Sequence, residues 1–131
     1  GYLKDIEADR ETNYRTFPVL FGWKATCIVG DVLVILSVFF CFNLTEENDW
    51  RPLSIFIIST LLAIAGQYSA HRAKAPTPEN AAFAIECTVR SFLLWHLAVI
   101  VSFRPAWLIY SIIFYGLFEL ALYFRPRKEQ I

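Results

Sequence analysis

The sequence predicts an all-α fold, a polytopic transmembrane helical bundle, and three observations support this prediction. Of the 131 residues, 56% are hydrophobic and 17% are aromatic, and the mean hydropathy is +0.45, whereas soluble domains are usually about 45–50% apolar. The apolar residues form four long runs, and none of these runs alternates between apolar and polar residues as a half-buried strand does. The basic residues, finally, are unevenly distributed among the segments that connect the runs.

The four apolar runs cover about residues 18–42, 52–69, 81–103 and 106–124. Because roughly 20 helical residues cross a bilayer core, the first and last runs are long enough, and the second is slightly short but densely apolar. The third run is the least clear, since Glu86 and Arg90 interrupt its first half. A proline stands near the start of each run, where its missing N–H costs a helix nothing. We therefore expect one partial membrane domain over residues 1–131, with a polar segment at 1–17 before four transmembrane helices.

The basic residues predict how these helices are oriented in the membrane. The polar N-terminal segment holds three of them, and the segments after the four runs hold one, two, one and three in turn. In chain order they are Lys4, Arg10 and Arg15, then Arg51, then Arg72 and Lys74, then Arg104, and finally Arg125, Arg127 and Lys128. Because four spans alternate sides, the richer segments fall on one side, which the positive-inside rule assigns to the cytoplasm. The sequence thus predicts a multi-pass protein of the membrane (the inner or plasma membrane, in a bacterium), with residues 1–17 on the cytoplasmic side.

Several classes of function and site are disfavoured by composition. The formal net charge is zero, so no bulk positive field would attract a nucleic acid, and the expected surroundings are membrane lipid. Cys27, Cys41 and Cys87 lie inside apolar runs without the spacing of a metal site, which predicts small buried apolar side chains. The sequence contains no methionine and begins at Gly1, so we expect a C-terminal piece of a longer protein.

Two aspartates precede the first apolar run. If residues 2–13 form a helix, Tyr2, Asp5 and Asp9 share one face with Thr12 or Asn13. Asp5 and Asp9 are then one turn apart, where like charges repel, and a divalent cation would offset that repulsion. Because only oxygen ligands are close in sequence, the set suits Mg2+ better than Zn2+.

Basic side chains surround these aspartates and complete the pattern. Lys4, Arg10 and Arg15 are suited to bind phosphate oxygens, arginine through its two-pronged guanidinium. The segment can therefore be interpreted as half of a diphosphate–Mg2+ site at the end of a membrane helix. The spacing alone is explained equally well by a solvated helical turn whose charges face water.

The segment KDIEADRETNYRTFPVLFG resembles the second aspartate-rich motif of the UbiA superfamily of intramembrane prenyltransferases. That motif has a basic residue, Asp-x-x-x-Asp, then typically Gly-x-x-Thr-Leu-Pro-Val and a further glycine. Asn13 replaces the usual glycine and Phe17 the common leucine, and Asn is among the residues that best tolerate a left-handed turn. Arg15 takes a place often held by a basic residue. The positions that carry the resemblance are Lys4, Asp5, Asp9, Thr16, Pro18, Val19 and Gly22.

The resemblance implies a fold, a reaction and a set of roles. The chain would be the C-terminal portion of a UbiA-type fold, and the family's first aspartate-rich motif would lie in a missing N-terminal half. The whole enzyme would move a prenyl group from prenyl diphosphate to an aromatic or other lipophilic acceptor, and this fragment alone would be inactive. The implied roles are Mg2+ ligation for Asp5 and Asp9, diphosphate binding for Lys4, Arg15 and Arg10, and the acceptor side for Tyr2 and Asn13. The alternative is a non-catalytic polytopic membrane protein, such as a transporter fragment or assembly factor, with an acidic cytoplasmic loop.

Ionisable residues within apolar runs are candidates for function. Asp31 is expected near mid-membrane, and an interhelical hydrogen bond is favoured there over a cavity-lining role. Glu86 and Arg90, four residues apart, are expected to pair with each other. His71 is expected to be solvated in a connection. The sequence assigns no partner to Glu119, and the missing half is one place where a partner can lie.

Overall fold

The computed structural model describes residues 6–45, 48–73 and 77–124, without the side chains of residues 78–80. Every regular element in these ranges is helical, so the predicted all-α class is confirmed. The helices are α1 (Ile6–Glu11), α2 (Phe17–Leu44), α3 (Trp50–Arg72), α4 (Pro78–Phe103) and α5 (Leu108–Phe124), and a single 3-10 turn at Pro105–Trp107 precedes α5.

Four of these helices are long and apolar enough to cross a membrane. The candidate spans are Phe17–Leu44, Trp50–Arg72, Ala81–Phe103 and Pro105–Phe124. The bounds of α2 to α5 lie within three residues of the four runs expected from the sequence. Polar and proline-containing segments separate the spans, as the pattern of breaks in the sequence indicates.

A kink divides α2 near its start. Thr16 precedes the helix in extended conformation, Pro18 occupies the first turn, and Gly22 leaves helical geometry with φ 82° and ψ 171°. Only glycine adopts that region readily. The continuous part, residues 23–44, is about 33 Å long at 1.5 Å per residue, which matches a hydrocarbon core of about 30 Å. The continuous part of α2 therefore begins after Gly22, within a candidate span that begins at Phe17.

Small side chains let α3 and α4 pack closely. A Cβ atom added at Gly66 would lie 2.8 Å from Cβ of Cys87 and 3.2 Å from the Ala84 carbonyl oxygen. Small residues at regular spacing allow the backbones of membrane helices to approach closely. In a bilayer, van der Waals packing and hydrogen bonds stabilise such helix pairs, because the hydrophobic effect does not favour association there. The buried residues of α3 are Pro52, Phe56, Ser59, Ala63, Gly66 and Ala70. Those of α4 are Ala81, Ala84, Cys87, Ser91, Trp95, Leu97, Ala98 and Val101.

The start of α2 is held against the end of α3. The indole N–H of Trp23 donates to the carbonyl oxygen of Ala70 at 2.9 Å. Nε2 of His71 lies 2.7 Å from Oδ2 of Asp31, so the interhelical hydrogen bond favoured for Asp31 is confirmed. The expectation that His71 is merely solvated in a connection is wrong, because this residue lies within α3 and pairs with α2.

The helix α5 lies at an edge of the bundle, joined to α4 by ion pairs. Arg90 donates from Nε to Oε1 of Glu119 at 2.8 Å and from Nη2 to Oε2 at 3.0 Å. Its Nη1 also donates to Oε2 of Glu86 at 3.2 Å, which confirms the expected pair within α4. The sequence does not assign a partner to Glu119, and the structure supplies one from α4.

The turn before α3 is closed by an aspartate cap. Asp49 accepts the backbone N–H of Arg51 at 3.0 Å, and its two carboxylate oxygens also bind the Arg51 guanidinium at 2.7–3.0 Å. These hydrogen bonds from Arg51 hold the pKa of Asp49 below its usual value. A carboxylate at an N-cap satisfies a helix N–H that has no partner within the helix, so this contact fixes where α3 starts.

Candidate functional site

The aspartate-rich segment ends in a well-defined turn. The helix α1 stops at Glu11, short of the predicted end at residue 13, and Asn13 has a left-handed φ of 59°. The N–H of Tyr14 donates to the carbonyl oxygen of Asp9 at 2.8 Å, and that of Asn13 to Arg10 at 3.3 Å. This pair of bonds is a Schellman motif, the helix ending that places a left-handed residue just after the helix. Asn13 therefore occupies the conformation that the usual glycine of the resembled motif would adopt.

The turn returns the chain so that the entry of α2 meets α1. The hydroxyl of Thr16 donates to Oδ2 of Asp9 at 3.0 Å, seven residues back along the chain. Thr16 also provides the N-cap position of α2, although its side chain makes no capping hydrogen bond there. The bond thus holds the Asp9 carboxylate at the start of the first long apolar helix.

Two apolar residues near that carboxylate in sequence are buried. Ile6 is 2% exposed, and Pro18 in the first turn of α2 is buried as well. Asp9 is half-buried, whereas Glu7 and Glu11 on the same short helix are exposed. The environment therefore distinguishes Asp9 from its acidic neighbours, and the sequence alone does so only through the family motif.

The basic residues of the segment extend into solvent. Arg10 and Arg15 are both exposed, and among the described residues neither forms an ion pair with Asp9. Asn13 is exposed at the turn. The other predicted site residues, Tyr2, Lys4 and Asp5, lie outside the described residues.

The oxygen donors of this segment fit a hard cation in type. In the described ranges no group of three or more His, Cys, Asp or Glu side chains is arranged to hold a metal ion. Oδ1 of Asp9 accepts no hydrogen bond from the described residues, since the Thr16 hydroxyl is on Oδ2. One carboxylate with a spare oxygen suits a magnesium site that keeps several waters and takes ligands from substrate phosphates. Asp9 can therefore supply part of such a site.

The hydrogen bond between Thr16 and Asp9 could not be predicted from the periodicity of the sequence. It joins residues from two elements, and it depends on the left-handed turn between them. The available signal was a threonine directly before a helix that carries proline in its first turn, which marks an N-cap. That signal predicts that Thr16 lies at a helix start, but it does not identify the acceptor of the Thr16 hydroxyl hydrogen bond.

Comparison with known proteins provides no independent assignment. No protein-family model matches the chain, and no curated protein or solved structure matches it. The resemblance to the UbiA superfamily therefore rests on the residues of the segment itself and stays a prediction.

Proposed function

We propose that the chain is the C-terminal part of a Mg2+-dependent intramembrane prenyltransferase of the UbiA type. The whole enzyme would transfer a polyprenyl group from its diphosphate to an aromatic or other lipophilic acceptor. The observation that carries the proposal is the half-buried Asp9 carboxylate, hydrogen-bonded to Thr16 at 3.0 Å where the chain enters its first long apolar helix. It stands in a segment whose sequence follows the family's second motif.

The location suits a substrate with two unlike ends. A prenyl diphosphate has a polar head that needs cations and water, and an apolar chain that partitions into lipid. Asp9 lies just before α2, and the kink at Gly22 separates its turn from the continuous apolar helix. A head bound beside Asp9 would thus leave the prenyl chain free to follow the apolar surfaces of the bundle.

The proposal assigns roles to six residues of the segment. Asp5 and Asp9 would hold the ion, and Thr16 would orient the carboxylate of Asp9. Mg2+ bound there would neutralise the diphosphate and stabilise it as a leaving group. The exposed side chains of Arg10 and Arg15 are free to turn toward phosphate oxygens, as Lys4 would be from the other side of Asp5.

The proposal requires a second aspartate-rich loop. The sequence holds a single Asp-x-x-x-Asp pair, at Asp5 and Asp9, and in the family two such motifs share the diphosphate. Activity is therefore expected in a longer protein whose upstream coding sequence adds the first motif. Finding no such motif upstream would favour the alternative, a non-catalytic polytopic protein.

The test compares Asp9→Ala with Glu11→Ala in the longer protein. Both substitutions remove a carboxylate from α1, but Asp9 is half-buried and bonded to Thr16, whereas Glu11 is exposed. Loss of a residue that merely supports a metal ligand typically costs about 10–100-fold. Asp9→Ala should therefore lower turnover by about 100-fold or more, with only partial rescue by added Mg2+, and Glu11→Ala should change it little. Radiolabelled prenyl transfer to candidate acceptors measures both.

Two outcomes would contradict the assignment. Equal losses at Asp9 and Glu11 would mean that the segment contributes only a general acidic surface. Full activity of the Asp9→Ala enzyme would mean that this carboxylate is not a ligand of the metal ion.

A further inference from the structure

Among the described residues, the ion-pair cluster of α4 and α5 holds two carboxylates and one guanidinium. The two Glu119 oxygens take the Nε and Nη2 protons of Arg90 at 2.8 and 3.0 Å. Within the described part of the chain, Glu86 receives a single, longer hydrogen bond from Nη1 at 3.2 Å. Two carboxylates thus share one guanidinium, and Glu86 makes the weaker interaction with it.

These charges lie within the apolar parts of their helices. Glu86 is five residues into the span that starts at Ala81, and Glu119 is five residues before Phe124. Each is therefore about 8 Å from the end of its span at 1.5 Å per residue, inside a hydrocarbon core of about 30 Å. A carboxylate at that depth is costly unless a cation accompanies it.

The surface that carries Glu86 is not covered by the described helices. The Glu86 side chain is 50% exposed, twice the exposure of the Arg90 side chain, at 25%. The adjacent α5 buries only Ser111 among its described residues, and 6% of its apolar span is buried, against 44% for α4. An uncovered apolar face therefore adjoins α5, and it carries excess negative charge at the level of Glu86.

We infer that this face of α4 and α5 binds another transmembrane helix that presents a lysine or arginine level with Glu86. The excess negative charge at Glu86 calls for a basic side chain. The position of Glu86 within the apolar span calls for a partner that is itself embedded in the membrane. A soluble partner does not reach that layer, and a lipid amine stays in the headgroup region about 8 Å away. A basic side chain on a neighbouring helix arrives from within the bilayer and completes the charge balance of the cluster.

The experiment uses the chain in phosphatidylcholine vesicles and a synthetic Leu/Ala transmembrane peptide. The peptide carries one lysine about a quarter of the way along its apolar length, level with Glu86, and the control peptide has leucine there. Association is measured by energy transfer between a fluorophore on the chain and one on the peptide. Interhelical polar contacts in membranes are worth about 1–2 kcal/mol, so the lysine peptide should bind about tenfold more tightly.

Substitutions in the chain identify the group responsible. Glu86→Gln keeps the bidentate pair of Arg90 with Glu119 and should abolish the preference for lysine, and Glu11→Gln, in the exposed segment, should preserve it. Glu86→Lys should reverse the preference toward a peptide with glutamate at the same position. Equal binding of the lysine and leucine peptides, or an unchanged preference in Glu86→Gln, would overturn the inference. Circular dichroism of each variant establishes that its helix content is unchanged.

Discussion

Thr16 joins the two elements of the aspartate-rich segment through one hydroxyl. Its bond to Oδ2 of Asp9 fixes a carboxylate that would otherwise rotate freely at the end of a short helix. Thr16→Val keeps the shape and removes the donor, so the carboxylate loses its orientation. In the longer protein we expect kcat/KM for the prenyl diphosphate to fall about 10–100-fold, mainly through a higher KM.

The matched control is Thr16→Ser, which keeps the hydroxyl and should restore most of the activity. A loss in Thr16→Val that Thr16→Ser does not rescue would indicate that the methyl packing matters, not the bond to Asp9. Steady-state kinetics at several Mg2+ concentrations separate the two, because only a misplaced ligand would shift the Mg2+ requirement.

Single residues show where the sequence sufficed and where it did not. The left-handed turn at Asn13 was predictable, because few residues tolerate that conformation and the resembled motif has glycine there. The partner of Glu119 was not predictable, because Arg90 is 29 positions away and nothing local indicates how α5 rotates against α4. The same limit applies to the pair of Asp31 with His71. Sequence patterns give the depth of a charge, whereas its partner depends on how helices are placed beside one another.

The existence of the four long helices follows from hydropathy, because every backbone polar group in an apolar phase must be satisfied within its own helix. The kink at Gly22 does not follow, since an isolated glycine is tolerated inside a helix. The close approach of α3 and α4 is likewise hidden in the sequence, where small residues also occur on faces that pack against nothing. Gly66 and Gly116 illustrate this, as each lies within an apolar helix and only Gly66 has a neighbour within reach of a Cβ atom.

Gly66→Ala should destabilise the pair of α3 and α4. The new Cβ would lie 2.8 Å from Cβ of Cys87 and 3.2 Å from a backbone oxygen, so the helices must separate slightly. Overpacking of this kind costs about 1–3 kcal/mol. Gly116→Ala is the matched control, because its Cβ would meet nothing within 4 Å and alanine favours a helix. Unfolding in mixed micelles followed by circular dichroism should show a loss for Gly66→Ala and none for Gly116→Ala; equal midpoints would contradict the packing argument.

The arrangement of the whole chain across a membrane can be tested with single cysteines. Cysteines are introduced at Glu11, Asn48, Ala73 or Arg104 after Cys27, Cys41 and Cys87 are replaced by alanine. Four spans require that positions 11 and 73 share one side and that 48 and 104 share the other. A membrane-impermeant maleimide applied to sealed vesicles should label only one of the two pairs, and detergent should expose the second. Labelling of positions 48 and 73 from the same side would exclude the four-span topology.

The attachment of α5 depends on the pairing of Arg90 with Glu119, because little else of this helix is buried in the bundle. A lone charge costs about 2.5–3.5 kcal/mol for insertion at the centre of a membrane helix and less toward its ends, so Arg90→Leu should leave Glu119 uncompensated and weaken the insertion of α5. Replacing both residues removes both charges, and the double variant Arg90→Leu/Glu119→Leu should insert better than either single variant, since exchanging a buried ion pair for apolar residues is often neutral or stabilising. Arg104→Leu, in the exposed turn before α5, controls for loss of positive charge and should have little effect. Maleimide labelling of a cysteine placed after Phe124 reports the fraction of chains in which α5 has crossed; a double variant no better than Arg90→Leu would show that the two side chains do not depend on each other.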